Sequence, residues 1–304
     1  MAVRRIAFSR AVAILFGVVL LFYYARQGQP QHPHQDTSPA PPSEIAIPKT
    51  VHQLLISMPR HPVSEFKPTS HSISWQQSGW KIEYWSEDSC LQLAQELDSE
   101  NAFSKAFQRL PTAVLRSDFC RYLIMYGKGG VYNDLDVHLM KPLPWNIMGP
   151  SKNAREGPPA LIIGLEGDAS TKGLPRLPQF VQWTIASAPS HPLLKGVLER
   201  IVERTPSYHE KHMANKDGEI DTMNWTGPSV WTDAVLAYLD CTDEQLKNLK
   251  DLKQPVRIKD VLVLPKRSFA VIQGEDHSLP DIFVKHYFSG TWKTCQKNWM
   301  FWGC

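Results

Sequence analysis

Residues 114–137, VLRSDFCRYLIMYGKGGVYNDLDV, form one continuous run in which a helical pattern leads through two glycines into a short apolar strand. Apolar and aromatic side chains recur at helical spacing before the glycines, which predicts a helix with a buried stripe: Leu115, Phe119, Tyr122 and Tyr126. The apolar residues after the glycines predict a strand over 131–137. A helix that returns directly to a buried strand is typical of an α/β sheet, so this run restricts the fold more than any other.

Strand and helix patterns also alternate along the rest of the chain, which predicts a largely parallel sheet. Strands are expected at 50–56, 80–85, 131–137, 161–165 and 261–264, and helices from about 88, at 112–126, 179–187, 191–203 and 229–240. No internal repeat or second linker interrupts this alternation. We therefore expect a single Rossmann-like α/β domain over 45–304, long enough to bury one sizeable core.

Asp134 and Asp136 flank Leu135 at the end of the predicted strand. Residues two apart on a strand point to the same face, so the carboxylates are expected to converge while Leu135 and Val137 face the core. Two carboxylates at the carboxyl end of such a strand suit Mn²⁺ or Mg²⁺ carrying a phosphate group. An isolated Asp-x-Asp is more often a solvated turn, but the flanking glycines and apolar residues favour a metal site here.

Asp118 and Arg121 lie three apart on the predicted helix, so their side chains are neighbours. The simpler interpretation of this pair is a surface salt bridge. The alternative is a charged pair under a ligand pocket, with Arg121 facing a phosphate or a ribose.

The charge distribution argues against a nucleic-acid-binding protein. Residues 1–26 carry four arginines and no acid, so the rest of the chain holds 29 basic and 30 acidic residues. A basic face of the kind that binds a phosphate backbone is therefore not expected. A hydrophobic fraction of 42% with ten tryptophans is typical of a globular enzyme.

Residues 11–25, AVAILFGVVLLFYYA, are uncharged and follow three arginines. A cleaved signal peptide has this layout, but Tyr23 would stand at the third position before the cut, where a small residue is needed. An uncleaved anchor is favoured because residues 6–10 extend the segment to the roughly 20 residues that a bilayer core requires.

Positive charge before the anchor predicts that residues 1–10 form a cytosolic tail and that the remainder is luminal. Residues 26–44 hold five prolines and predict an extended stem. The expected arrangement is a single-pass type II membrane protein with its folded domain at 45–304.

Five cysteines, an odd number, lie in what would be an oxidising compartment. Cys120 falls in the apolar stripe of the predicted helix and is expected to be a buried free thiol. Cys295 and Cys304 enclose a short aromatic tail and are the favoured disulfide. Asn224 begins a glycosylation sequon that we expect to be unused.

The run LRSDFCRYLIMYGKGGVYNDLDV resembles the donor-binding segment of glycosyltransferase family 32, with its serine–aspartate, arginine–tyrosine, paired-glycine and DxD elements in order. Four further blocks resemble the same family, at 47–53, 179–194, 222–239 and 284–293. The resemblance covers 45–293 and is greatest to the fungal mannosyltransferase branch. It implies a GT-A-type domain and a metal-dependent glycosyltransferase.

The resemblance also implies roles for individual residues. The second aspartate of the motif, Asp136, would bind the metal, and Asp134 would reach ribose or sugar hydroxyls as well as the metal. His286 would be the third protein ligand, and an imidazole suits Mn²⁺ better than Mg²⁺. Trp292 would close over the sugar–phosphate bond, although core packing explains it equally well, and Trp85, at the end of the second predicted strand, would stack on the base.

The mannosyltransferase branch implies transfer of mannose from GDP-mannose to an oligomannose N-glycan at the Golgi membrane, in α-1,6 linkage and with other mannosyltransferase subunits as partners. Retention of configuration requires either a carboxylate nucleophile or front-face attack without one, which is slightly preferred. The candidate nucleophiles are Glu166, Asp168 and Asp233. The alternatives are transfer to inositol phosphoceramide and an inactive sugar-binding homologue, against which the intact DxD motif and histidine argue.

Overall fold

Strands and helices alternate in the computed structural model, which describes residues 47–57, 62–143, 158–168, 171–215, 220–271 and 278–290. The strands are β1 (Thr50–Leu54), β2 (Lys81–Trp85), β3 (Gly130–Asn133), β4 (Val137–Leu139), β5 (Leu161–Gly167), β6 (Gln179–Phe180), β7 (Thr184–Ser187), β8 (Val256–Ile258), β9 (Val261–Leu264) and β10 (Val284–His286). The α-helices are α1 (Ser70–Ser74), α2 (Glu87–Leu97), α3 (Ala102–Arg109), α4 (Ala113–Lys128), α5 (Pro192–Ala214), α6 (Thr222–Trp225), α7 (Pro228–Leu239), α8 (Asp243–Asn248) and α9 (Lys266–Phe269).

The central sheet has the strand order β2-β1-β3-β7-β5-β9-β8, with β6 paired to β5. Strands β1, β2, β3, β5 and β9 all run in the same direction, because β7 is antiparallel to both β3 and β5 and so leaves those two parallel to each other. Strands β4 and β10 form a separate antiparallel pair. The expected α/β fold with a mostly parallel sheet is confirmed.

Alternate residues of the central strands pack into two different apolar clusters, as side-chain alternation on a strand requires. Tyr132 and Ile185 belong to the larger cluster, which contains helices α2 to α5 and α7. Val131 and Ala186, their chain neighbours, belong to the smaller cluster with Trp183. The sheet is therefore covered on both faces, and its open positions are at the strand ends.

Helix α4 ends at a turn that only glycine can form. Gly129 and Gly130 have φ angles of 66° and 89°. A Cβ atom on Gly130 would lie 2.6 Å from the Thr50 carbonyl oxygen, and one on Gly129 would lie 2.7 Å from the ring of Pro189. These close approaches place β3 directly beside β1 and fix where β3 begins.

The predicted strand over 131–137 is interrupted. Strand β3 ends at Asn133, Asp134 donates its backbone N–H to the Trp183 carbonyl, and Val137 closes a turn onto the Asp134 carbonyl at 3.1 Å. The chain then joins the second sheet, whose partner strand β10 is about 150 residues away in sequence, which local alternation does not reveal. Val137 is buried as predicted, but Leu135 is not: it is only partly buried and lines a cavity.

The helix predicted over 179–187 is wrong, because this segment forms β6 and β7. All four residues of β7 are buried between β3 and β5. A short continuous apolar run fits a buried strand and a buried helix equally well, and the β-branched Thr184 and Ile185 favour the strand. The other predicted helices are present, and the one starting at residue 191 continues to Ala214.

Cys120 is not a free thiol, because it forms a disulfide with Cys90. The two residues lie 30 positions apart on the packed helices α2 and α4, with their Cα atoms 5.6 Å apart. Burial of Cys120 was predicted correctly, but its partner depends on the packing of the two helices. Cys241 is free, and Cys295 and Cys304 lie outside the described residues.

Within the described residues, no helix has both the length and the apolar composition needed to cross a bilayer. The tail, anchor and stem predicted for residues 1–44 lie outside the described part of the chain, as does Trp292.

Candidate active site

A cavity of about 760 Å³ opens beside the carboxyl ends of β1 and β3. Its lining includes the end of β1 and the two residues after it (54–56), one face of helix α4 (Ser117, Asp118 and Arg121), the turn at 134–136, and His286 with residues 288–290. The carboxyl ends of parallel strands are where α/β sheets bind ligands. The predicted metal and helix residues therefore meet in one place.

Two carboxylates and one imidazole converge at the wall of this cavity. Asp134 and Asp136 occupy the turn between β3 and β4, and His286 ends β10 directly opposite Val137. One ligand atom from each of the three residues lies within 4.8 Å of the others. The antiparallel pairing of β4 with β10 brings His286 to the aspartates across 150 residues of sequence. Two hard oxygens and one nitrogen form a donor set that fits Mn²⁺, or less well Mg²⁺.

Asp136 is surrounded by hydrogen-bond donors. The backbone N–H and the hydroxyl of Ser289 both donate to its Oδ2 at 2.8 Å, and His286 Nε2 lies 3.2 Å from its Oδ1. Burial acts to raise the pKa of Asp136, but the bonds from His286 and Ser289 outweigh it and hold that pKa well below its usual range. The carboxylate is therefore ionised at physiological pH, as a metal ligand must be.

Arg121 holds the first aspartate of the motif. Its Nη2 lies 3.0 Å from an oxygen of Asp118 and 3.2 Å from Oδ1 of Asp134. The Tyr132 hydroxyl donates to the same Asp134 oxygen at 2.5 Å, and the guanidinium lies 5.2 Å from the centre of the Tyr132 ring. Only 4% of Arg121 and 2% of Asp118 are exposed, so the pair is not a surface salt bridge.

Asp118 lies behind Arg121 and accepts a second hydrogen bond, from the Thr226 hydroxyl at 3.0 Å. Burial raises the pKa of Asp118 to about 6, against the lowering effects of Arg121 and Thr226. Within the described residues, the Nε and Nη1 atoms of Arg121 have no hydrogen-bond partner. The guanidinium thus brings a buried positive charge to the cavity wall beside the two aspartates.

Glu166, near the end of β5, and Asp168, directly after that strand, do not line the cavity. Glu166 accepts a hydrogen bond from Gln179 at 2.8 Å, and burial raises its pKa. Asp168 accepts the backbone N–H of Asp251 at 2.6 Å. Both carboxylates are thus engaged in contacts that hold the loop after the strand.

Asp233 and Trp85 also do not line the cavity. Asp233 projects from α7 into ion pairs with Arg176, at 2.7 Å, and Arg204, at 3.4 Å. Trp85 donates its indole N–H to His52 at 3.0 Å and packs against the main core. Each of these two side chains is therefore held by contacts within the fold, and neither joins Asp134, Asp136 and His286 at the predicted metal site.

Several side chains at the site were not predicted to act there. Tyr132 had been assigned only to the apolar strand, yet its hydroxyl bonds to Asp134. Ser289 and Phe288 stand in the block at 284–293, where only His286 and Trp292 had been given roles. A hydroxyl three residues after the predicted metal ligand was an available signal for Ser289, whereas nothing in the sequence indicates the Tyr132 contact.

Comparison with known proteins agrees with this geometry. Residues 64–154 match the family described as a glycosyltransferase sugar-binding region containing the DXD motif. The chain is 37% identical over 205 residues to the initiation-specific α-1,6-mannosyltransferase of Schizosaccharomyces pombe, covering 64% of this chain and 51% of that protein. It is 35% identical over 221 residues to the protein of the same name from Candida albicans, covering 62% and 57% of the two chains.

A more distant relative is inositol phosphoceramide mannosyltransferase 1 of S. pombe, which is 24% identical over 249 residues, covering 79% of this chain and 65% of that one. The chain spans just over half the length of the S. pombe and C. albicans α-1,6-mannosyltransferases. The resemblance to glycosyltransferase family 32 is thereby confirmed, and the chain contains that family's DXD sugar-binding region.

Proposed function

We propose that this protein is a metal-dependent glycosyltransferase with a GT-A-type domain, which transfers mannose from GDP-mannose to an oligomannose N-glycan in α-1,6 linkage with retention. The observation that carries the proposal is the convergence of Asp134, Asp136 and His286 within 4.8 Å at the wall of a cavity that Arg121 also lines. The names of the two α-1,6-mannosyltransferase relatives support the choice of sugar and linkage.

The residues of the site fit the charge changes of this reaction. Negative charge builds on the departing diphosphate, and a bound Mn²⁺ or Mg²⁺ would neutralise it as a Lewis acid. Asp136 is kept ionised by Ser289, and with Asp134 and His286 it would hold that cation. Arg121 fixes Asp134 and leaves its second oxygen available for a hydroxyl group of the donor.

The arrangement favours front-face attack over a double displacement. Retention by double displacement requires a carboxylate close beneath the anomeric carbon. The three predicted nucleophiles, Glu166, Asp168 and Asp233, do not line the cavity. Among the carboxylates that do, Asp118 and Asp136 are engaged with Arg121 and with Ser289. Glu65 also lines the cavity and is therefore the carboxylate that a double displacement would have to use. Front-face attack predicts instead that Glu65→Gln and Glu166→Gln both retain most of the turnover.

The proposal is tested by incubating the purified chain with labelled GDP-mannose, oligomannose acceptors and Mn²⁺. Asp136→Asn removes a charged ligand with almost no change in shape, and we expect turnover to fall by roughly 10²–10³-fold while the protein stays folded. Asp88→Asn makes the same chemical change at an exposed position on helix α2 and should leave turnover unchanged. Chelation should abolish activity and added Mn²⁺ should restore it. Equal turnover in Asp136→Asn and wild type would remove Asp136 from the site.

The donor is tested separately by calorimetry in the presence of Mn²⁺. A site whose acceptors bind the exocyclic amine and ring N–H of guanine should reject a base that cannot satisfy those acceptors. GDP should therefore bind much more tightly than UDP. Comparable affinities would contradict the assignment of GDP-mannose while leaving the metal site intact.

A second candidate function is transfer of mannose to inositol phosphoceramide, which the more distant relative favours. Inositol phosphoceramide in detergent therefore belongs in the acceptor panel, and transfer to it alone would replace the N-glycan proposal. Binding of GDP-mannose without transfer to any acceptor would favour an inactive sugar-binding homologue.

We further propose that the protein is a Golgi type II membrane protein that works with other mannosyltransferase subunits. The support is the run of arginines before the apolar segment 11–25. The chain should resist alkaline extraction from membranes, and its carboxyl terminus should be protected from protease in sealed vesicles. Release as a soluble protein beginning near Arg26 would show instead that the segment is a cleaved signal.

A further inference from the structure

Phe288 combines two features that are each unfavourable for a large aromatic residue. Its φ angle is 50°, in the left-handed region that bulky side chains rarely adopt. The residue is also 56% exposed. Among the described residues, the other non-glycine residues with positive φ are all polar: Asn101, Ser190, Asp240, Asp251 and Lys259.

The local backbone explains why this position is left-handed. Tyr287 donates its N–H to the Asp136 carbonyl, and Ser289 donates its N–H to the Asp136 carboxylate. The chain must turn sharply between these two anchors, and Phe288 is the residue that turns. Glycine would make this turn without strain. The presence of phenylalanine therefore indicates that the ring itself is needed there.

The ring lies at the cavity, beside the predicted metal ligands. Its centroid is 3.9 Å from that of His286 and 5.4 Å from that of Trp183, and the latter two rings are 4.5 Å apart. Phe288 lines the cavity from the segment that carries His286 and Ser289. Trp183 and His286 thus support the ring, and the residue remains more than half exposed.

We propose that Phe288 is the platform on which the ring of the acceptor sugar stacks; this inference rests on the proposed function. The polar side chains of the site, Asp134, Asp136 and Arg121, suit the hydroxyls and phosphates of the donor. An exposed flat ring next to them suits the C–H-rich face of a hexose entering from solvent.

The kinetic test separates the acceptor from the donor. Phe288→Ala should raise the KM for the oligomannose acceptor roughly tenfold, since one stacking contact is worth about that much in affinity. The KM for GDP-mannose and the Mn²⁺ concentration for half-activation should not change. Phe288→Tyr should behave as wild type, and Phe288→Leu, which is apolar but not flat, should not. Met213→Ala, which truncates another exposed apolar residue far along α5, should change none of these constants.

A stability measurement separates a binding role from a packing role. Phe288→Gly relieves the left-handed backbone, so its melting temperature should equal or exceed that of wild type while its acceptor affinity is lost. A ring that serves only to pack against His286 predicts the opposite: a lower melting temperature in Phe288→Gly, and equal changes in the donor, metal and acceptor constants of Phe288→Ala. That pattern would overturn the proposal.

A binding experiment separates this inference from the proposed function. Binding of methyl α-mannoside is measured by saturation-transfer NMR, with GDP and Mn²⁺ present. Binding that is lost in Phe288→Ala supports the platform even if the wild type transfers no mannose, in which case only the proposed function fails. Transfer by the wild type with acceptor constants unchanged in Phe288→Ala overturns the platform and leaves the function standing. A wild-type protein that binds no mannoside also overturns the platform.

Discussion

Replacement of Arg121 by methionine should destabilise the protein severely, and more at alkaline than at acidic pH. Arg121 is the buried partner of Asp118 and also holds Asp134. Methionine fills a similar volume without charge, so the substitution leaves Asp118 buried with only the Thr226 hydroxyl as a partner. Removing one member of a buried ion pair costs about 3–5 kcal/mol, because the remaining charge stays desolvated.

The pH dependence follows from the pKa of Asp118. With Arg121 present, burial raises that pKa from 3.8 to about 6. The native state thus binds the proton more tightly than the unfolded state, and the stabilisation from Asp118 is lost as pH rises from about 4 to 6. At about 1.36 kcal/mol per unit this loss is about 3 kcal/mol. Without Arg121 the pKa rises further, so Arg121→Met should be closest to wild type at pH 5 and furthest from it at pH 8.

Thermal unfolding at both pH values tests this reasoning. For a domain of this size a loss of about 3–5 kcal/mol corresponds to a decrease in melting temperature of roughly 6–20 °C at pH 8. Adding Asp118→Asn to Arg121→Met removes the unpaired charge and should recover part of the loss, with a coupling energy of about 0.5–3 kcal/mol. Arg109→Met, at the exposed end of α3, is the control. Additive effects in the double variant, or equal losses at pH 5 and pH 8, would refute the buried-pair interpretation.

Two further predictions concern stability alone. Cys90→Ser should lower the free energy of unfolding by about 3–4 kcal/mol, because the disulfide to Cys120 closes a 30-residue segment. Reduction of the wild type should lower its melting temperature by as much as this substitution does. A melting temperature that reduction does not change would mean that the bond is absent. Gly130→Ala should lower the free energy of unfolding by at least about 1 kcal/mol, because the position has a positive φ and a Cβ atom there would clash with Thr50. Gly196→Ala, in open space on helix α5, should raise it by about 0.5–1 kcal/mol. Equal effects of the two substitutions in denaturant titrations would contradict the close approach at Gly130.

The parts of the fold that depend on local pattern were predictable from the sequence. The apolar stripe of helix α4 and the two glycines after it predict the helix, the turn and strand β3, and the structure has all three. The helix predicted for segment 179–187 was wrong because an apolar run indicates burial and does not distinguish a helix from a strand. Its strand character depends on tertiary pairing, because β7 lies between β3 and β5 and β6 pairs with β5, and a local pattern does not report these partners.

The residues of the site likewise divide into those that local sequence identifies and those that depend on remote parts of the chain. Asp134 and Asp136 could be selected from their position after the glycines, although they converge through a turn and not through alternation on one strand. His286 was reached only through family resemblance, because its approach to Asp136 depends on the pairing of β10 with β4. Asp233 and Glu166 were selected as acids near predicted strand or helix ends, but their arginine and glutamine partners could not be read from the sequence.

Asp136 connects two properties of the site that a single substitution would not separate. Its carboxylate would hold the metal, and it also accepts both hydrogen bonds from Ser289, while its backbone carbonyl accepts the N–H of Tyr287. The segment that carries His286 and Phe288 is therefore attached to the cavity through the same residue that would bind the cation. Loss of turnover in Asp136→Asn combines a lost ligand with a weakened attachment. Ser289→Ala removes one donor to Asp136 and keeps all three metal-binding side chains, so the difference between the two variants measures what the charge of Asp136 itself contributes.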